Sequence, residues 1–253
     1  MPARLSDTDS PRPDMTTAMV LIIGDEVLAG EVVDLNGPLI LSLLAERGLR
    51  VLGLYVLPDE PAVVEPVLRD ASQRADCVLV TGGIGPTHDD ITRLAVAGAL
   101  ERPLVAHVQA TERLESIFQR GATPEERDMA LLPEGAELLF APGIMAFAFQ
   151  VGNVFVFPGV PRLLEPLLLA NLERLGRHAA HRRELHTQLR EGLVAAPLSL
   201  LAARWPDLRW GSYPELSDTG WHLRLVLRGR DPERLDAAFA MLEDMVARLE
   251  SRS

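Results

Sequence analysis

The residue types most able to do chemistry in this sequence cluster between Val78 and Thr92, which reads Val-Leu-Val-Thr-Gly-Gly-Ile-Gly-Pro-Thr-His-Asp-Asp-Ile-Thr. An apolar strand runs into Gly82, Gly83 and Gly85 and then into Asp89 and Asp90, with a helix expected from about Asp90. Glycines after a strand let successive backbone N–H groups face one concavity, which suits a phosphate. A helix N-terminus adds the positive end of its dipole. Two carboxylates in the same place would repel a phosphate unless a divalent cation sat between them. The pattern therefore predicts a phosphate–metal site, with magnesium the expected ion and oxygen the expected ligand. No Gly-Lys-Ser/Thr follows, so this is not a Walker A loop, and the glycine spacing is not that of a dinucleotide fingerprint. A plainer alternative makes Thr87 and Asp90 a capping box with Asp89 favouring the helix start. Capping accounts for one acid and a threonine, but not for three clustered glycines followed by Pro86-Thr87.

Strand-like and helix-like segments alternate around this loop. Strands are expected at Met19 to Ile23, Val51 to Leu57 and Cys77 to Val80. Helices are expected at Pro38 to Arg47, closed by Gly48 in the C′ position, at Pro61 to Ala75, Ile91 to Leu100, Ala106 to Arg120, and Glu125 to Leu131. This rhythm predicts a mostly parallel sheet with helices on both faces, an α/β fold in which ligands bind beyond the carboxyl ends of the strands. Gly152-Asn153 between Phe147 to Val151 and Val154 to Phe157 is a two-residue hairpin signal, and a helix from Pro161 to Leu175 completes the unit. Gly176 to Arg183 is basic and histidine-rich; it reads as a solvated linker, with an arginine screen over a phosphate as the alternative. A small α+β pattern follows: a strand from Glu184 to Arg190, a helix from Leu193 to Arg204, and paired strands at Leu208 to Tyr213 and Trp221 to Leu227. Asp231 caps a last helix reaching about Leu249.

Composition narrows the classes of function. The chain has 253 residues and a formal charge of −11, with a pI near 5.0. Such a field argues against non-specific nucleic-acid binding and against anionic membrane surfaces. An anionic substrate then needs locally positive surroundings. Cys77 is the single cysteine, so no intrachain disulfide forms, which suits the cytoplasm. Residues 1–17 lack the apolar stretch of a signal peptide and read as a disordered tail, or as an extension ahead of a true start at Met15 or Met19. No apolar run is long enough to span a bilayer.

Three ordered motifs resemble the MoaB/Mog-type molybdopterin-binding family, and especially its CinA (competence/damage-inducible) branch. They are the loop from Thr81 to Thr92, the segment Ile23-Gly24-Asp25-Glu26-Val27-Leu28-Ala29-Gly30 running on to Asn36, and Gly152 to Pro161 with its Pro158-Gly159-Val160-Pro161 turn. The resemblance implies a three-layer α/β/α domain over residues 18–176. It implies a small α+β, KH-like domain within 177–253, suggested by an expected turn at Gly211-Ser212-Tyr213-Pro214. That domain shows no Gly-x-x-Gly clamp for RNA and is read as a structural or dimerisation module. No counterpart of the deamidase domain of longer CinA proteins is seen in this sequence. By position, Asp59 and Asp90 correspond to the family's metal and catalytic aspartates, with Asp89 beside them as a further metal ligand. Gly24, Asp25, Asn36, Thr81, Gly82, Gly83, Gly85, Thr87, Pro158 and Gly159 become candidate ligand-binding residues. Asp59 taken alone could simply start the following helix, and Asn36 could equally cap one. The implied ligand is a phosphorylated small molecule, nucleotide or pterin, and the implied assembly a homo-oligomer, dimer or trimer. The implied activity is magnesium-dependent hydrolysis of a nucleotide pyrophosphate such as ADP-ribose or FAD. The alternatives are a non-catalytic pterin- or nucleotide-binding protein and an adenylyltransferase of molybdenum-cofactor synthesis. One departure bears on catalysis. Where the family carries Lys-Ala-Pro-Gly-Phe, this chain has Met145-Ala146-Phe147-Ala148-Phe149, without the positive charge that could stabilise a transition state.

Overall fold

A computed structural model describes residues 17–119, 121–175, 181–217 and 220–251. The expected tail up to Thr16, and Arg177 and His178 of the basic stretch, lie outside the described residues.

The first unit opens with β1 (Thr17–Ile23), α1 (Asp25–Leu28), α2 (Asn36–Glu46), β2 (Arg50–Leu57), α3 (Pro61–Arg74), β3 (Cys77–Thr81) and α4 (Thr92–Ala99). It continues through β4 (Leu104–Ala106), α5 (Val108–Ile117), α6 (Pro124–Asp128), β5 (Leu131–Pro133), β6 (Glu137–Leu139), β7 (Ala148–Val151), β8 (Val154–Phe157) and α7 (Pro161–Asn171). The main sheet has the order β2-β1-β3-β8-β7-β6. Its first four strands are parallel, and β7 and β6 are antiparallel additions. Alternate side chains of β1 divide between the faces: Met19, Leu21 and Ile23 pack with Val64 and Leu68 of α3, Val96 of α4 and Leu114 of α5. Ala18, Val20 and Ile22 pack with Ile40 and Leu44 of α2 and Leu164 and Leu168 of α7. Strands buried on both faces read as continuous apolar runs, as Cys77 to Val80 does. The three-layer α/β/α expectation holds.

The β7–β8 hairpin turns at Gly152-Asn153 as its sequence signals, with Gly152 at φ 60°. Besides β5, which begins at Leu131 where the helix from Glu125 was expected to end, two short strands escaped the pattern. The helix expected from Ala106 begins only at Val108, capped by the His107 ring, because Leu104–Ala106 is β4 and pairs with β5. Likewise β6 is only three residues long. Neither run is long enough to show a period.

From His181 the chain builds a second compact unit: β9 (His181–Thr187), α8 (Glu191–Arg204), β10 (Arg209–Ser217), β11 (Gly220–Gly229) and α9 (Pro232–Glu250). Its antiparallel sheet, order β10-β11-β9, lays Leu223, Leu225 and Leu227 against Val194 of α8 and Leu235, Ala238 and Leu242 of α9. Asp231 caps α9 as expected, accepting from the N–H groups of Glu233 and Arg234. Two expectations fail here. Gly211 to Pro214 is not a turn but the middle of β10, where an edge position tolerates the missing N–H of Pro214. His181, Arg182 and Arg183 are not linker; they open β9, and Arg182 and Arg183 form ion pairs with Glu184 and Asp236. Among the described residues, no helix is long and apolar enough to cross a membrane.

Candidate functional site

The carboxyl ends of β2, β1, β3 and β8 lie side by side, with β1 and β3 flanking the point where the strand order of the sheet reverses. Ligands of open α/β sheets bind at such a point. A cavity of about 690 Å³ opens there.

Glycine makes the strand ends fit. Gly82 follows β3 at φ 101°, and a Cβ on it would stand 2.0 Å from the carbonyl oxygen of Ile23 at the end of β1. A Cβ on Gly159 would in turn stand 3.1 Å from Gly82 Cα. Gly83, at φ 63°, turns the chain back so that its carbonyl accepts from Thr92 N at 2.9 Å, while Thr92 Oγ1 donates to Gly82 O at 2.8 Å. These bonds fix the start of α4 at Thr92, two residues later than expected.

The alternative capping box does not form, because the Thr87 hydroxyl donates to the Asp90 carboxylate instead of accepting from Asp90 N, and the helix starts only at Thr92. Asp90 Oδ1 accepts from Gly85 N at 2.6 Å, and its Oδ2 accepts from Thr87 N at 2.8 Å and Thr87 Oγ1 at 2.5 Å. Asp90 lines the cavity and also braces the loop.

Of the expected residues, the cavity gathers Gly24, Asp59, Gly82, Gly83, Gly85, Asp89, Asp90, Pro158 and Gly159. Four others stand behind its wall. Thr81 Oγ1 donates to Pro158 O at 2.9 Å, so it is no ligand donor, and the Thr87 hydroxyl is held by Asp90. Asn36 caps no helix and does not line the cavity, and its buried Oδ1 has no partner among the described residues. Asp34 accepts from the N–H groups of Asn36 and Gly37, while Asn36 Nδ2 donates to Gly159 O at 2.6 Å and to Thr81 Oγ1 at 3.3 Å. Asn36 thereby joins the start of α2 to the ends of β3 and β8. Asp25 contributes its backbone N–H, which donates to Asp59 Oδ2 at 2.8 Å. Burial raises the Asp59 carboxyl above its usual range; the Asp25 N–H opposes this, and the charges of Asp25, Glu26 and Asp89 add to it.

Other lining residues complete the cavity. Glu26 adds a fourth carboxylate, and Arg93 supplies a cation. An apolar recess is made by Leu114 and Ile117 of α5 together with Phe118, Met129, Met145 and Phe147. Arg93 carried one visible signal, as the sole charged residue of the otherwise apolar α4, Thr-Arg-Leu-Ala-Val-Ala-Gly-Ala. The recess as a whole had none, since its residues come from three separate segments.

Comparison with known proteins agrees with this architecture. Residues 19–177 match the family described as "Probable molybdopterin binding domain", and residues 179–250 match "FAD synthase, middle domain". Protein TK1472 from Thermococcus kodakarensis is 33% identical over 92% of this chain and 98% of its own length. A CinA-like protein from Desulfosudis oleivorans is 34% identical over 79% of this chain, which spans only 52% of that longer protein. Among solved structures, the protein CinA of unknown function from Thermoplasma acidophilum matches with a TM-score of 0.60 at 28% identity, covering 64% of this chain and 98% of that one. The chain therefore belongs to the MoaB/Mog-type molybdopterin-binding family, among its CinA-like members.

Proposed function

We propose that this protein is a magnesium-dependent hydrolase of a nucleotide pyrophosphate. The observation that carries the reading is the meeting of a glycine turn and four carboxylates around one cavity at the ends of parallel strands. Among the described residues, no group of three or more acids, histidines or cysteines could hold a metal ion by itself. That donor set fits magnesium, which takes one or two protein carboxylates and completes its shell with waters and phosphate oxygens. Asp59 and Asp89 are the residues to hold it, since both line the cavity and Asp89 is close enough to raise the Asp59 carboxyl. When bound, the ion neutralises charge on the pyrophosphate.

The chain supplies the rest. The Gly83 to Gly85 turn lines the phosphate end of the cavity, its Gly85 N–H already given to Asp90, which holds that turn in shape. A water oxygen bonds to phosphorus, the bridging P–O bond breaks, and two phosphomonoesters result. Asp59, which lines the same cavity, receives the proton from the water and returns it to solvent. The apolar recess and the resemblance of residues 179–250 to an FAD synthase domain both favour FAD over ADP-ribose as the substrate type.

A specific observation favours a second reading. Met145, Ala146 and Phe147 line the cavity where a lysine-bearing run is expected, which suits a protein that binds a pterin or nucleotide without cleaving it. Calorimetry with FAD and ADP-ribose, with and without Mg²⁺, followed by chromatography of the products, separates the two. Binding with release of AMP supports the hydrolase, binding without products supports the second reading, and no binding defeats both.

A further inference from the structure

We propose that Arg93 is the residue that brings positive charge to the bound pyrophosphate, in place of the lysine missing before the β7–β8 hairpin. The inference rests on the reading of this cavity as a pyrophosphate site. Arg93 is 9% exposed and belongs to the second position of α4, directly behind the glycine turn. Its Nη1 donates to Ile84 O at 2.5 Å and to Gly85 O at 3.0 Å, so both hydrogens on that nitrogen are used. Its Nε and Nη2 have no hydrogen-bond partner among the described residues. Three N–H donors are thus left on a guanidinium that lines the cavity.

A buried guanidinium is costly to leave unpaired. Burial lowers its proton affinity, and the charges of Asp90 and Asp128 only partly restore it. No carboxylate takes the free side of the fork within the described residues. A phosphate would, because its paired oxygens match the planar donor geometry of arginine.

The surroundings leave this role to Arg93. Glu26, Asp59, Asp89 and Asp90 are the other charged residues lining the cavity, and all four are acidic. Arg182 and Arg183 of the basic stretch already pair with Glu184 and Asp236. Arg93 does two things at once. One edge of its guanidinium fixes the Ile84 and Gly85 carbonyls, and the other meets a non-bridging oxygen. As the bridging P–O bond breaks, charge grows on the departing phosphate, and a fixed guanidinium in a sheltered site stabilises that charge without reorganising.

The test compares wild type with Arg93→Gln and Arg93→Lys. Calorimetry in the presence of Mg²⁺ measures affinity for inorganic pyrophosphate and for inorganic phosphate. Arg93→Gln is expected to weaken pyrophosphate about 10- to 100-fold, the range of a lost charged hydrogen bond, and phosphate by distinctly less. Arg93→Lys is expected to recover part of the loss. A residue that only shaped the loop would weaken both probes alike, so equal losses, or no loss, overturn the proposal. If Arg93→Gln does not fold, the wild-type protein still decides. The Arg93 Nε–H resonance should move on addition of magnesium pyrophosphate, and a fixed resonance with binding intact overturns the proposal. Wild type that binds neither probe overturns the pyrophosphate site itself and the role of Arg93 with it. Wild type that binds pyrophosphate as tightly as Arg93→Gln overturns the role of Arg93 alone.

Discussion

Replacing Asp90 with asparagine separates bracing of the loop from chemistry. Helix capping would tolerate Asp90→Asn well, but Asp90 caps nothing here. Its two oxygens accept three bonds, from Gly85 N, Thr87 N and Thr87 Oγ1. The asparagine amide has one accepting oxygen, and its NH₂ meets an N–H donor on the other side. At least one charge-assisted bond is lost, worth about 1.5–3 kcal/mol. The lower part of that range applies because Thr87 is exposed. A loss of about 1.5–2 kcal/mol lowers Tm by roughly 3–8 °C in a unit of this size. Thermal melting in excess EDTA excludes any contribution from metal, and hydrogen exchange at the Gly85 and Thr87 amides should quicken. Asp89→Asn is the control; Asp89 is exposed, and its replacement should stay within about 0.5 kcal/mol of wild type. An Asp90→Asn protein that melts within a degree of wild type, with both amides still protected, would refute the bracing role.

Gly82→Ala should cost more stability than Gly83→Ala, because its Cβ meets the Ile23 backbone carbonyl whereas that of Gly83 meets the movable Thr92 hydroxyl; denaturant titration of the two variants checks the order. Without divalent cations Asp59→Asn should stabilise the protein slightly at pH 7, solvent screening keeping the gain small at this largely exposed group. The raised carboxyl means that ionisation disfavours the fold, a cost present above the folded pKa and absent below the unfolded one. The gain should therefore vanish near pH 3 in metal-free buffer. Cys77 is buried and its thiol is pushed up to about 12, so a thiol reagent should label it only on unfolding. Met145→Lys, at a half-exposed cavity position, should raise turnover more than affinity if the missing lysine limits catalysis. Phe147 and Ala148 should not be changed with it, since both are buried and Ala148 pairs with Leu139 in the sheet.

The glycine turn, the strand ends and the β7–β8 hairpin were legible in the sequence because their signals are local. Gly82, Gly83 and Gly85 directly follow an apolar strand, and Gly152-Asn153 is a two-residue hairpin by itself. Asn36 was misjudged because its partners lie 45 and 123 residues away, at Thr81 and Gly159. The start of α4 was misplaced for a related reason. Both Asp90 orientations are compatible with the sequence, and only the bonds from Gly85 and Thr87 choose between them. The apolar recess depends on α5 packing over the sheet edge, which brings Leu114 and Phe147 to one wall without any shared pattern.

The most direct measurement is phosphorus NMR of FAD, and separately of ADP-ribose, incubated with the protein and Mg²⁺ beside the Asp59→Asn variant. Cleavage within this cavity predicts that the coupled pyrophosphate signals of at least one compound give way to two phosphomonoester signals. It also predicts that EDTA or Asp59→Asn stops the change. Pyrophosphate signals that persist unchanged with wild-type protein and Mg²⁺, or that disappear equally fast with Asp59→Asn, would contradict it.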